Sequence, residues 1–222
     1  MENGVIKEIG DLRQYLVKVL TPDDKVNGTG FLCHPDGYAL TCYHVITPWL
    51  KQQQNEIHVI HGEQTYSATL LPDRSTEAGD IAVFQLKAED NGRSWDHLPL
   101  DTYWRVDIGH NVESFGYPIG THAKPSPFAE SGAPISGTFG GLTPAPVDHL
   151  EAYSVVGFNL SNVDYGYSGA PLFDRTIQKV VGLIWAKHES TQSFIVSLSE
   201  LFAAWPELKD LHDIYRRIRE QL

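Results

Sequence analysis

Three residues of this sequence, His44, Asp80 and Ser168, could together activate a hydroxyl group for attack on a carbonyl carbon. A serine hydroxyl is a weak nucleophile at neutral pH, and a histidine can take its proton because histidine side chains titrate near neutrality. A carboxylate that accepts a hydrogen bond from the other ring nitrogen orients the imidazole. The chain order His, Asp, Ser is one of the known orders of such triads. These residues therefore predict acyl-transfer chemistry.

The neighbours of Ser168 support the same chemistry. Gly166 and Gly169 flank it, and glycine allows the backbone to turn so that N–H groups point into one spot, where a negatively charged oxygen could bind. The tetrapeptide Gly-x-Ser-Gly alone is a weak signal. An α/β-hydrolase would need Gly-x-Ser-x-Gly, with its acid and histidine after the serine. Here both partners precede Ser168, which argues against that fold.

Composition limits the alternatives. The 222 residues suffice for one large all-β domain or two small ones, and 41% are hydrophobic. The net charge of −11 argues against binding of nucleic acid. We expect no membrane-spanning segment and no secretion signal, because no apolar stretch is long enough and the first residues lack a basic and apolar leader. No metal-binding motif occurs, so no metal and no cofactor are expected.

The chain contains two cysteines, Cys33 and Cys42, and so few favour a reducing compartment, the cytoplasm. They lie on two short strands joined by the turn at 34–37, which would pair Cys33 near Tyr38. Cys42 is then several residues further from the turn. We therefore expect two buried free thiols rather than a disulfide.

Short strand-like segments separated by turn residues occupy both halves of the chain, which is typical of a sandwich or barrel. The strands expected are Tyr15–Leu20, Gly28–Cys33, Tyr38–Thr41, Glu56–Ile60, Tyr66–Leu71, Ile81–Leu86, Asn111–Tyr117, Ala133–Thr138, Ala152–Asn159, Ala170–Phe173, Val180–Ala186 and Ser193–Val196. A linker is expected around 100–108.

Helices are expected at both ends of the chain. Spaced apolar residues over 1–12 predict a short amphipathic helix, and Ser197 with Glu200 fits a capping box. Pro206 suits the first turn of a final helix. The apolar stripe of that helix could pack on the protein itself or dock a partner; it comprises Leu208, Leu211, Tyr215, Ile218 and Leu222.

Five segments resemble the trypsin/chymotrypsin-like serine proteases, most closely their bacterial cytosolic and HtrA-like branches: 28–32, 36–46, 79–83, 166–172 and 181–184. The resemblance implies an all-β fold of two packed six-stranded antiparallel β-barrels, with a short N-terminal helix and a C-terminal helix. Residues 1–198 would form the protease domain, with barrel one at about 14–100 and barrel two at about 108–198. Residues 199–222 would form a helical tail.

The same resemblance assigns roles to residues. His44 would be the general base and acid, Asp80 its orienting carboxylate and Ser168 the nucleophile, with the N–H groups of Gly166 and Ser168 as the oxyanion hole. The strand Ile184, Trp185, Ala186 and Lys187 would pair with the substrate backbone. Asn162 falls at the base of the S1 pocket, and because it is not acidic a preference for Lys or Arg is not supported.

Tyr167 departs from the pattern of the zymogen-activated members, which have an aspartate before the nucleophile. That aspartate pairs with a newly cut N-terminus, and tyrosine cannot form the ion pair. We therefore expect no activation by insertion of the N-terminus.

The resemblance favours a serine endopeptidase acting on a protein or peptide substrate. It also favours a role as a regulated intracellular effector in a bacterial defence or signalling system, with a sensor or ATPase partner. The alternative is a peptide-binding or scaffold module with a latent triad.

Overall fold

The computed structural model describes residues 6–87, 94–103, 106–121, 124–143, 152–156, 165–188 and 192–220. Within this part of the chain, no helix is long and apolar enough to cross a membrane.

The first half of the chain forms a closed barrel of six antiparallel strands. Their order around the barrel is β1, β2, β3, β6, β5, β4, and β4 pairs back with β1. Large side chains such as Phe31 and Phe84 are fully buried in its core. The strands are β1 Leu16–Leu20, β2 Val26–Leu32, β3 Tyr38–Cys42, β4 Glu56–His61, β5 Gln64–Leu70 and β6 Ile81–Leu86.

The second half repeats this architecture. The order is β10, β11, β14, β13, β12, β7, and β7 pairs back with β10. The small pair β8 Gly120–Thr121 and β9 Lys124–Pro125 lies outside the barrel sheet. The six barrel strands are β7 Asn111–Gly116, β10 Ala133–Thr143, β11 Ala152–Val156, β12 Pro171–Asp174, β13 Lys179–His188 and β14 Gln192–Ser197.

Both barrels confirm the fold expected from the sequence. The predicted strands differ from the observed ones mainly at their ends. The hairpin at 34–37 forms as expected, since the N–H of Cys33 donates to the carbonyl of Tyr38 at 2.9 Å. Cys33 and Cys42 are free and buried.

The helices depart from prediction at three points. The N-terminal helical segment is a 3₁₀ helix at Ile9–Tyr15 rather than a helix over 1–12, of which 1–5 lie outside the described residues. An unpredicted helix, α1 Tyr43–Lys51, follows β3 directly.

The capping box at Ser197 is also wrong. The helix α2 Ser199–Ala204 begins after Leu198, so that Leu198 rather than Ser197 is its N-cap residue and no side-chain cap forms there. The hydroxyl of Ser197 accepts a hydrogen bond from the N–H of Ser199. The final helix α3 does begin at Pro206, as predicted, and extends to Glu220. Leu208 is buried against the protein's own core. The side chains of Tyr215, Ile218 and Leu222 lie outside the described part of the chain.

Candidate active site

His44 lies at the second position of α1, immediately after strand β3 of barrel one. Its side chain is 46% exposed, which leaves the ring accessible from solvent. The helix turns the chain away from the barrel at the point where β3 ends, and this turn presents the imidazole at the barrel surface.

Asp80 contacts His44 at two points. One carboxylate oxygen accepts the backbone N–H of His44 at 2.8 Å, and the other accepts Nδ1–H of the ring at 2.7 Å. The Asp80 side chain is only 13% exposed. Because Nδ1 carries the proton, the lone pair of Nε2 is available to accept one.

The backbone of Asp80 has an uncommon conformation. Its φ of 48° lies in the left-handed region, which aspartate tolerates better than most residues. The two hydrogen bonds between Thr76 and Ile81 close the loop, and the carbonyl of Asp80 accepts the N–H of Tyr43 at 3.1 Å. The loop therefore fixes Asp80 against the start of α1.

Ser168 lies on a loop of barrel two that contacts barrel one. The N–H of Gly169 donates to the carbonyl of Ile184 at 2.8 Å, and the N–H of Ala170 to Tyr167 at 2.8 Å. Gly169 has φ of +85°, and a Cβ there would lie 2.2 Å from the carbonyl oxygen of Thr29. The close approach of the two barrels at this point requires glycine.

The hydroxyl of Ser168 donates to the carbonyl oxygen of Trp185 at 3.3 Å. Among the described residues, no hydrogen bond joins Ser168 to His44. Catalytic hydrogen bonds are often long or poorly aligned without substrate, so this geometry is compatible with a nucleophile and base that come together when substrate binds.

Two backbone N–H groups at the Ser168 loop could form an oxyanion hole. Within the described part of the chain, neither the N–H of Gly166 nor that of Ser168 meets an acceptor. The carbonyl of Tyr165 accepts the N–H of Ile119 at 2.7 Å. Because C=O and N–H point in opposite directions across a trans peptide, this bond directs the N–H of Gly166 away from Ile119.

The edge of β13 beside Ser168 could receive a substrate strand. In the described chain, β12 pairs with β13 only up to Leu183, so that edge has no strand partner from Trp185 onward. Ile184 is not part of this free edge, since its N–H donates to Ala170 and its carbonyl accepts from Gly169. Of the predicted substrate strand, Trp185, Ala186 and Lys187 remain.

Asn162, the residue expected at the base of the S1 pocket, lies outside the described residues, as do the side chains of Ala186 and Lys187. Tyr167 is 1% exposed and its hydroxyl donates to the carbonyl of Ala133 on β10 at 3.0 Å. The position before the nucleophile is therefore occupied by a neutral side chain.

Cys42, His44 and Asp80 could each offer one ligand atom to a metal ion, with these atoms within 4.8 Å of one another. The Cys42 thiol, however, donates to the carbonyl of Ile184 at 3.3 Å, and burial raises its pKa well above the usual value. A protonated thiol is a poor metal ligand. The group fits the hydrogen-bonded support of His44 better than a metal centre.

Two residues that build the site had no role predicted from the sequence. Thr29 contacts the loop of Ser168 from barrel one, and Ile119 orients the peptide before Gly166. In the sequence, the Gly-Thr-Gly run at 28–30 was the only feature that drew attention to Thr29.

Known proteins resemble this chain both in sequence and in fold. The family model for the trypsin-like peptidase domain matches residues 28–183. A probable periplasmic serine endoprotease, DegP-like, of Chlamydia pneumoniae is 37% identical over 94 residues, which are 39% of this chain and 17% of that protein. Its counterpart in Chlamydia trachomatis is 34% identical over 105 residues, 45% of this chain and 18% of that protein. The matched segments are thus less than a fifth of these relatives' length.

Solved structures share the fold. The active form of the Rv3671c protease from M. tuberculosis superposes with a TM-score of 0.66 at 20% identity, covering 90% of this chain and 85% of that one. Deg5 gives a TM-score of 0.67 at 17% identity, with 88% of this chain and 89% of that one covered.

Proposed function

The chain belongs to the trypsin-like peptidase family, and from this premise we propose that it hydrolyses peptide bonds as a serine endopeptidase, with Ser168 as nucleophile, His44 as base and Asp80 as its orienting carboxylate. The observation that carries the proposal is the pair of contacts from the Asp80 carboxylate to the backbone and ring of His44.

The reaction would proceed in two halves. Ser168 Oγ attacks the substrate carbonyl carbon while its proton passes to Nε2 of His44. The resulting oxyanion accepts hydrogen bonds from the N–H groups of Gly166 and Ser168. His44 then protonates the leaving amine, the C–N bond breaks, and an ester to Ser168 remains. His44 then deprotonates a water molecule, which attacks the carbonyl carbon of the ester. As the bond to Ser168 Oγ breaks, His44 returns the proton to that oxygen and the carboxylic acid product leaves.

Substrate would bind as an added antiparallel or parallel strand along Trp185–Lys187. This pairing supplies affinity through the backbone and does not by itself select a sequence. It also brings the substrate to the carbonyl of Trp185, which at present accepts the Ser168 hydroxyl.

A fluorophosphonate probe tests the assignment of Ser168. We expect covalent labelling of the wild-type protein and hydrolysis of labelled casein, both abolished in Ser168→Ala. Ser131→Ala, which removes the hydroxyl of an exposed loop serine of barrel two, should leave both unchanged. Absence of labelling in the wild type, alone or with cell extract, would contradict the proposal and favour a peptide-binding module with a latent triad.

We further propose that the enzyme acts in the cytoplasm as a regulated effector of a bacterial defence or signalling system, with a sensor or ATPase partner. The two free, buried cysteines support a reducing compartment. The end of the chain, 196–201 and 205–208, resembles the end of such effector modules. Comparing the proteomes of cells with wild-type protein and with Ser168→Ala tests this role, and cleavage of no cytoplasmic protein would argue against it.

A further inference from the structure

Thr29 of strand β2 belongs to barrel one but makes two hydrogen bonds with the loop of Ser168 in barrel two. It is fully buried. Its N–H donates to the carbonyl of Ser168 at 2.9 Å, and its hydroxyl donates to the carbonyl of Gly166 at 2.7 Å. The hydroxyl also accepts the N–H of Tyr117, from barrel two, at 3.0 Å.

These bonds fix two carbonyls, one on either side of the N–H of Ser168, which is one of the two oxyanion donors. The carbonyl of Gly166 is directed inward to Thr29, and so is the carbonyl of Ser168. The peptide group that joins Tyr167 to Ser168, and carries the N–H of Ser168, lies between these two carbonyls. Rotation of this peptide group would disturb one or both of the hydrogen bonds to Thr29. Gly166 itself has φ of +102°, a conformation that glycine could leave easily without such a contact.

Only a hydroxyl can satisfy both side-chain partners. Its single proton goes to the carbonyl of Gly166, and its lone pair accepts the N–H of Tyr117. The carbonyl of Thr29 is in turn held by the Thr41 hydroxyl at 2.7 Å, which fixes the strand at this point. An apolar side chain of the same shape would leave a buried donor and a buried acceptor without partners.

We propose that Thr29 is the positioning residue of the oxyanion hole: its hydroxyl, reaching from barrel one, holds Gly166 in the conformation that leaves the N–H groups of Gly166 and Ser168 open to the substrate oxygen. This inference rests on the proposed peptidase function.

The test compares Thr29→Val, which keeps the shape, with Thr29→Ser, which keeps the hydroxyl. We expect Thr29→Val to lower kcat and the second-order rate of fluorophosphonate labelling about 100-fold, the range seen on loss of one oxyanion donor, with KM within about threefold. Thr29→Ser should retain both within a few-fold. The labelling rate needs no knowledge of the substrate, because the phosphonate oxygen occupies the oxyanion hole itself.

Thr102→Val is the matched control. Thr102 is also buried, and its hydroxyl bonds Asp213 of helix α3; among the described residues, no hydrogen bond joins it to the Ser168 loop. This variant should lose stability without loss of labelling rate. Where Thr29→Val does not fold, Thr29→Ala serves the same comparison.

Two outcomes would overturn the inference: a folded Thr29→Val or Thr29→Ala labelled at the wild-type rate, or an equal loss in Thr29→Ser. Failure of the proposed function would appear differently, as wild-type protein that is not labelled at all.

Discussion

At the scale of single residues, the Asp80 carboxylate fixes both the position and the tautomer of His44. One oxygen holds the backbone at the start of α1 and the other holds the ring proton on Nδ1. The sequence could predict that His44 and Asp80 come together, because each lies in a short motif that can be recognised from its neighbours in sequence. It could not predict the contact to the backbone N–H, which depends on the left-handed conformation of Asp80.

Asp80→Asn should therefore lower kcat on the order of 10⁴-fold, as loss of the orienting carboxylate does in other triads. An amide in this place can donate to Nδ1, which moves the ring proton to Nε2, where it blocks acceptance of the Ser168 proton. Steady-state hydrolysis of a fluorogenic substrate measures the loss.

Asp24→Asn is the control for this change. Asp24 also has a positive φ of 58° and bonds a histidine ring, His58, at 3.3 Å, but on an exposed loop. Its replacement should leave kcat unchanged. An Asp80→Asn enzyme with kcat within tenfold of the wild type would contradict the role of Asp80.

At the scale of elements, the strands were predictable and the helix α1 was not. Strands carry alternating or continuous apolar runs bounded by turns, and β6 coincides with its prediction at Ile81–Leu86. Helix α1 contains Pro48 and three consecutive β-branched residues, Val45, Ile46 and Thr47, which lower helix propensity. Its packing into the core, where Val45, Ile46 and Trp49 are buried, overrides that preference.

The partners of the Ser168 loop were also beyond prediction. Thr29 and Ser168 are distant in sequence, and their contact depends on how two separately formed barrels pack together. Short sequence motifs reveal residues able to do chemistry more readily than they reveal the residues that position them.

The N-terminal segment is also fixed by a contact with another element of the fold. Arg175, in the turn between β12 and β13, donates to the carbonyl oxygens of Ile6 and Lys7, at 2.8 Å and 2.5 Å. The interior position before Ser168 is already filled by Tyr167, bonded to Ala133. Arg175 thus holds the first described residues through their backbone carbonyls.

A tag added at the N-terminus should therefore leave the rate of fluorophosphonate labelling unchanged, because the neutral side chain of Tyr167 offers no carboxylate with which a terminal amine could pair beside Ser168. The tagged protein and the same protein after tag removal give the comparison. A tenfold or larger increase on removal would show that a free N-terminus activates the enzyme.

At the scale of the whole molecule, the tail helix α3 joins barrel one to the segment between the barrels. His212 is the contact that does so: its Nε2–H donates to the carbonyl of Cys33 at 3.1 Å, and its Nδ1 accepts the N–H of Leu100 at 3.4 Å. The predicted apolar stripe places Leu208 correctly but gives no signal for His212, a polar residue that is 5% exposed.

The bond from Leu100 requires a neutral ring, because Nδ1 must keep its lone pair. Burial lowers the pKa of His212 to about 3, with His97, Lys179 and His34 opposing a further positive charge. The unfolded chain would take up a proton near the ordinary histidine pKa of about 6.5. Below that pH the unfolded state binds one more proton than the folded state. The contribution of His212 to the free energy of unfolding therefore falls by about 1.4 kcal/mol per pH unit from about pH 6.5 toward pH 3.

His212→Gln should remove this slope, because glutamine can donate and accept hydrogen bonds but does not titrate. Urea unfolding of both proteins at a series of pH values measures it: the stability lost by the wild type between about pH 6.5 and pH 4.5 should exceed that lost by the variant by roughly 2 to 3 kcal/mol. His58→Gln, which changes a more exposed histidine, should follow the wild type. Parallel pH profiles for the wild type and His212→Gln would mean that the buried histidine does not couple the docking of the tail helix to pH.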